Sequence, residues 1–190
     1  MRKLFVLFAI VMCTLWIATP AKAGTELVTN GGFELGYTGW TQGGDTSFDF
    51  IDPARAHSGL YAADFGALGD TSSLSQTLTA TNVGESLAVS FWVAYDLLNP
   101  ELAGPVSTFV VTLGGNQLLS LSDATATAGS YVEYSFDLTA PSTSFNLTFT
   151  AENDNDFWSL DDVSVIAPEP QTLILLTPAL AGLVLLRRRG

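Results

Sequence analysis

The chain has 190 residues, a formal net charge of −12, one cysteine (Cys13) and one histidine (His57). Its basic residues lie almost wholly at the two ends, so residues 24–167 carry eighteen of the nineteen acids against Arg55 alone. A body of that sign repels phosphate backbones and anionic lipid, which excludes nucleic-acid binding, and one histidine with one cysteine is too few for a zinc site.

Arg2 and Lys3 precede an apolar run from Leu4 to Thr19, and Ala21-Lys22-Ala23 places small residues at the two recognition positions of a cleavage site. This is the pattern of a secretory signal peptide, 1–23, cut after Ala23. The run is shorter than the roughly 20 residues of a membrane span. Cys13 leaves with the leader, so the exported chain has no disulfide and depends on its core.

The body opens L-V-T-N-G-G-F-E-L-G-Y-T-G-W (27–40). Asn30-Gly31-Gly32 can take positive φ where a first strand turns out of its sheet, Phe33 then drops into the core, and Trp40 covers one end of it. Beyond this the chain shows short runs of period two rather than helical periodicity. Leu87, Val89, Phe91, Val93 and Tyr95 alternate with Ala88, Ser90, Trp92 and Ala94. Val132, Tyr134, Phe136 and Leu138 alternate with Glu133, Ser135 and Asp137, and Phe145, Leu147 and Phe149 form a third inward row. Further strands are predicted over 25–29, 47–51, 60–65, 73–79, 106–113, 116–121 and 157–166, with a tight hairpin at Gly114-Gly115. The body closes F-W-S-L-D-D-V-S-V (157–165). Leu160 and Val163 can both face inward only if Asp161-Asp162 forms a bulge, which would turn a carboxylate sideways. The expectation is one all-β domain, 24–167, folded as a jelly-roll β-sandwich.

A Ser-His-Asp triad would have to use His57, and no G-x-S-x-G elbow is present. Residue count alone leaves a carboxylate pair for glycoside hydrolysis open. Sugar binding needs an aromatic platform with polar groups for the hydroxyls. Trp92 is the first candidate, on the outward row beside Ser90 and Ala94. Tyr131 and Glu133 share the outward row of another strand, and Tyr37 and Trp158 are candidates at loop ends. For each ring the alternative is a covered aromatic.

At the C-terminus Pro168-Glu169-Pro170 is followed by an apolar stretch, Thr172 to Leu186, and then by Arg187, Arg188 and Arg189. Counted from Ala167 the stretch reaches the roughly 20 residues of a span, and the arginines would stay on the cytoplasmic side. The tail 168–190 therefore reads as a transmembrane segment with the body outside.

Two resemblances rest on these residues. Pro-Glu-Pro, a hydrophobic helix and a terminal arginine cluster resemble the PEP-CTERM sorting signal. That implies an exosortase as partner, a transient inner-membrane anchor in a Gram-negative bacterium, and a final place at the cell surface or outside it. N-G-G-F-E, G-W, H-S-G-L-Y and L-D-D-V, in that order, resemble the galactose-binding-like jelly rolls, in particular the carbohydrate-binding modules of xylanases and glucanases. That resemblance implies a non-catalytic domain, a polysaccharide partner, and a structural calcium on Glu34 and Asp162 with Asp161 beside them. The alternative for these acids is solvation or hydrogen bonds to local backbone. Two functions remain open: an exopolysaccharide-binding module, or a structural or adhesive matrix component with no specific sugar site.

Overall fold

The computed structural model describes residues 24–96, 107–122, 129–153 and 157–168. The segments expected to be a signal peptide and a sorting tail, with Glu169, Pro170, Arg187, Arg188 and Arg189, lie outside these residues; Pro168 ends the last strand. By compactness Thr25–Ala167 forms one unit.

Eleven strands are present among the described residues: β1 (Gly24–Glu26), β2 (Thr41–Gly44), β3 (Phe50–Asp52), β4 (Ala62–Phe65), β5 (Ser72–Thr79), β6 (Ser86–Asp96), β7 (Ser107–Leu113), β8 (Asn116–Ser122), β9 (Val132–Thr139), β10 (Ser144–Asn153) and β11 (Phe157–Pro168). They form two sheets. One runs β3-β4-β11-β6-β9 with β1 also on β11; the other runs β2-β5-β10-β7-β8. This is the expected all-β jelly-roll sandwich.

Alternation builds the core. Leu87, Val89, Phe91, Val93 and Tyr95 of β6 are all buried, as are Leu147 and Phe149 of β10 and Leu74 and Leu78 of β5. Phe91 and Phe149 meet edge to face across the two sheets, 5.3 Å between centroids. Phe33 is buried and packs on Trp40, which in turn contacts Phe149, so the opening loop closes one end of the sandwich. Gly114 and Gly115 both have positive φ between β7 and β8, as a two-residue type I′ hairpin requires.

Three expectations need correction. Val132 is 37% exposed rather than core, because it is the first residue of β9, an edge strand; Tyr134, Phe136 and Leu138 do pack on the core. Trp158 is no loop-end ring: it lies buried between Tyr95 and Phe109. Strand β2, T-Q-G-G, was not expected, since two glycines give it no β-propensity; its pairing with β5 holds it.

The bulge at Asp161-Asp162 is present. Trp92 faces Asp161 and Ser90 faces Ser164, so β11 carries an extra residue, and Asp162 has φ 49°. Leu160 and Val163 are thereby both buried.

Candidate functional site

Three of the four body motifs, N-G-G-F-E, H-S-G-L-Y and L-D-D-V, meet at this bulge. The loop 53–60 leaves β3 and crosses the outward face of the first sheet before entering β4. Asp161 is fully buried beneath it: Oδ2 accepts from the N–H groups of His57 and Ser58 (2.8 and 3.1 Å), and Oδ1 from that of Asp162 (2.7 Å). Burial pushes the Asp161 carboxyl up, and these N–H donors oppose the shift. Glu34 takes the next turn, with Oε1 accepting from Leu60 N (2.7 Å) and Tyr61 N (3.2 Å). Gly59 has φ 62°, and a Cβ there would stand 2.1 Å from Glu34 Oε1, so the S-G pair is needed both for the turn and for the carboxylate that passes it.

Glu34, Asp161 and Asp162, expected to hold a structural calcium, are brought together around this loop. Among the described residues no group of three or more acidic, histidine or cysteine side chains is set to hold a metal ion. The carboxylates face the positive ends of N–H and O–H donors, which an added cation would have to share or displace. Asp162 accepts from Ser58 Oγ (2.7 Å), and its other oxygen lies 2.7 Å from His57 Nδ1. Both neighbours point at the one carboxylate, so Ser58 sends its proton to Asp162 and not to the imidazole. This is not the relay of a serine nucleophile.

Trp92, expected as an open platform, is half-buried, and its face is taken. The His57 ring stacks on it with centroids 3.9 Å apart and planes 17° from parallel. Tyr131 meets the same imidazole edge-on at 5.1 Å and donates its hydroxyl to Arg55 O at 2.6 Å. Burial, with Asp161 and Asp64 nearby, holds this phenol well above its usual range, so it stays a donor. Glu133 is exposed on β9, opposite Trp92. Tyr37 is partly buried against the core. The sequence candidates Trp92, Tyr131 and Glu133 thus lie together, with His57 inserted among them.

Beside this stack the loop carries Arg55, whose Nε lies 3.3 Å from Asp52 Oδ2 and 3.4 Å from Asp64 Oδ2. The Asp64 side chain is wholly buried, and burial pushes its carboxyl up to about 7 against the pull of Ser159 and Arg55. The guanidinium also sits over the Phe157 ring, 5.1 Å from its centroid. Between the loop and the turn before β9 opens a cleft of about 250 Å³, lined by Arg55, Ala56, Ala94, Tyr95, Tyr131 and Ser159 among others. Arg55, Asp64 and His57 were not singled out as site residues from sequence. The one available signal was that Arg55 is the sole basic side chain of an acidic body.

No family model matches the chain, and no curated protein matches its sequence. Solved structures do match. A family 61 carbohydrate-binding module in complex with β-1,4-galactotriose aligns with a TM-score of 0.56 at 19% identity, over 74% of this chain and 97% of that one. The CBM22-1 xylan-binding domain of Paenibacillus barcinonensis Xyn10C aligns at 0.52 and 16%, over 79% and 99%. The enzymatically active domain of bacteriophage CBA120 tailspike protein 4 aligns at 0.54 and 11%, over 74% of this chain but only 21% of that one. The chain therefore has the β-sandwich fold of carbohydrate-binding modules, a fold that is also found as part of larger proteins.

Proposed function

We propose that this domain is a non-catalytic glycan-binding module, exported and sorted to the cell surface or beyond by its C-terminal signal. The observation that carries the binding reading is the cleft on the outward face of the first sheet. Its walls join an aromatic ring (Tyr131), small residues (Ala56, Ala94) and polar groups (Arg55, Ser159), the mixture that suits a sugar's C–H faces and hydroxyls. Similarity of fold to modules whose structures were solved with galactotriose or as xylan-binding domains supports the same class of ligand. The net negative field of the body disfavours acidic polymers and leaves neutral glycans as the better partners.

The test is affinity electrophoresis of the full chain in detergent against β-1,4-galactan and xylan. Retention by wild type should be lost in Ala94→Phe, which fills the cleft floor. A wild type that moves freely through every neutral glycan would sink the reading and favour a structural or adhesive matrix component. For sorting, the expectation rests on Pro168-Glu169-Pro170, the apolar stretch and Arg187, Arg188 and Arg189. The mature species should lack the tail, and a strain without the exosortase should hold a larger form in its inner membrane. Equal mass and location in both strains would count against it.

A further inference from the structure

The cleft is small for a polymer. At about 250 Å³ it lies just under the roughly 300–1,000 Å³ of typical ligand sites, so a polysaccharide held there must run on across the surface. Towards Trp92 and Glu133 the way is blocked by His57, which is stacked on the indole and fixed through its own N–H to Asp161. The other way leads to the sheet edge. Strand registers place Ala94 opposite Ser159, Ser159 opposite Asp64, and Asp64 opposite Phe50. Residues opposite one another in antiparallel strands share a face, so these four make one row from the cleft floor to the edge strand β3. The row crosses three strand spacings, about 14 Å, longer than a single hexose ring.

Ser159 and Asp64 are themselves buried, and the surface beside this row is made by Arg55, Phe157 and Phe50. Arg55 lines the cleft and lies over Phe157, and Phe157 meets Phe50 edge to face with centroids 5.1 Å apart. Phe50 is 40% exposed, and its neighbour Phe48 is exposed as well. Arg55 is balanced by Asp52 and Asp64, so this surface sets no demand for a charged ligand.

We infer that Phe50, backed by Phe157, is an outer subsite that takes the C–H face of a neutral β-linked glycan beyond the unit held in the cleft. The inference rests on the reading of the cleft as a glycan site. It makes the module a reader of chain length, tighter on long oligomers than on short ones.

The experiment is calorimetric titration of the full chain in detergent with β-1,4-galacto-oligosaccharides and xylo-oligosaccharides of about two to six units. Wild type should bind the long oligomers about tenfold more tightly than the short ones, a difference of about 1.4 kcal/mol. Phe50→Ala should lose that gain while binding short oligomers as wild type does, and Phe50→Tyr, which keeps the ring, should retain it. Equal affinity for all lengths in wild type, or a gain that survives Phe50→Ala, overturns the subsite while binding abolished by Ala94→Phe leaves the cleft reading intact. Absence of binding by wild type at every length overturns both. Phe50→Ala is expected to melt with wild type, because the ring it removes is an exposed one.

Discussion

The imidazole of His57 lies flat on the indole of Trp92, 3.9 Å between centroids, while its Nδ1 faces Asp162 at 2.7 Å. One side chain thereby joins the loop 53–60 to the centre of a sheet and to the bulge. His57→Ala should uncover the indole and move the tryptophan emission to the red, since Trp40 and Trp158 are buried elsewhere. Trp92→Ala should cost about 2 kcal/mol of stability, less than the full core penalty because the ring is half-buried, and should leave retention by the cleft in place. Unchanged emission in His57→Ala would remove the stack from the solution structure.

Asp161 is the anchor of that loop. Replacing it by alanine leaves three N–H groups without their acceptor, a loss on the order of 3 kcal/mol. Urea denaturation of Asp161→Ala against wild type measures it. A change below about 1 kcal/mol would mean that water replaces the carboxylate at no great cost.

Calcium is the related question. Because Glu34, Asp161 and Asp162 already accept from N–H and O–H donors, adding calcium should not raise the melting temperature beyond a magnesium control. A specific rise that Glu34→Ala or Asp162→Ala abolishes would show that the ion displaces those donors, since binding to the folded state alone stabilises it.

Stability should also depend on pH through Asp64. Its carboxyl rises from the ordinary 3.8 to about 7 on folding, chiefly through burial. Between those values the folded chain holds the proton that the unfolded chain releases, so stability falls as pH rises through the window. The contribution is whole below about pH 4 and lost above about pH 7. Asp161 and Asp49 are raised in the same direction and add to the trend. Asp64→Asn should flatten the profile of urea midpoint against pH between about pH 4 and pH 7; a profile as steep as wild type would place the titration elsewhere.

Two of the four glycines in the opening motif give a sharper contrast. A Cβ at Gly31 would stand 1.9 Å from Val163 O, on the strand that also donates Val163 N to Gly31 O. Gly31→Ala should cost about 3 kcal/mol or more through this backbone clash. Gly36 has open space but φ 62°, so Gly36→Ala should cost only about 1–2 kcal/mol. Similar losses at the two positions, by thermal melting, would contradict the close approach.

Much of the fold was legible because period two leaves little freedom: once Phe91 and Val93 face inward, Trp92 must face out, and it does. The bulge followed from the spacing of Leu160 and Val163 alone. What covers an outward residue is a different matter. The A-R-A-H-S-G run carries no periodicity, so nothing local says that it folds back over β6 and not away from it. That choice is made by Asp161, 104 residues from His57 in sequence, which supplies the acceptors. Hence Trp92 was placed on the right face but expected to be open. The buried Asp64 reads in sequence as one more acid in an acidic body; only its neighbours in space distinguish it.

Strand β11 lies at the middle of its sheet, between β4 and β1 on one side and β6 on the other, and runs from Ser159 at the cleft to Pro168. A pull between a held polymer and the C-terminal end would therefore act lengthwise along this strand. Ladder hydrogen bonds stand across the strand direction, so such tension loads the pairs from Phe157 to Ile166 with β6 together and does not unzip them one by one. The geometry is that of a shear joint, in which the ladder resists as one set of bonds.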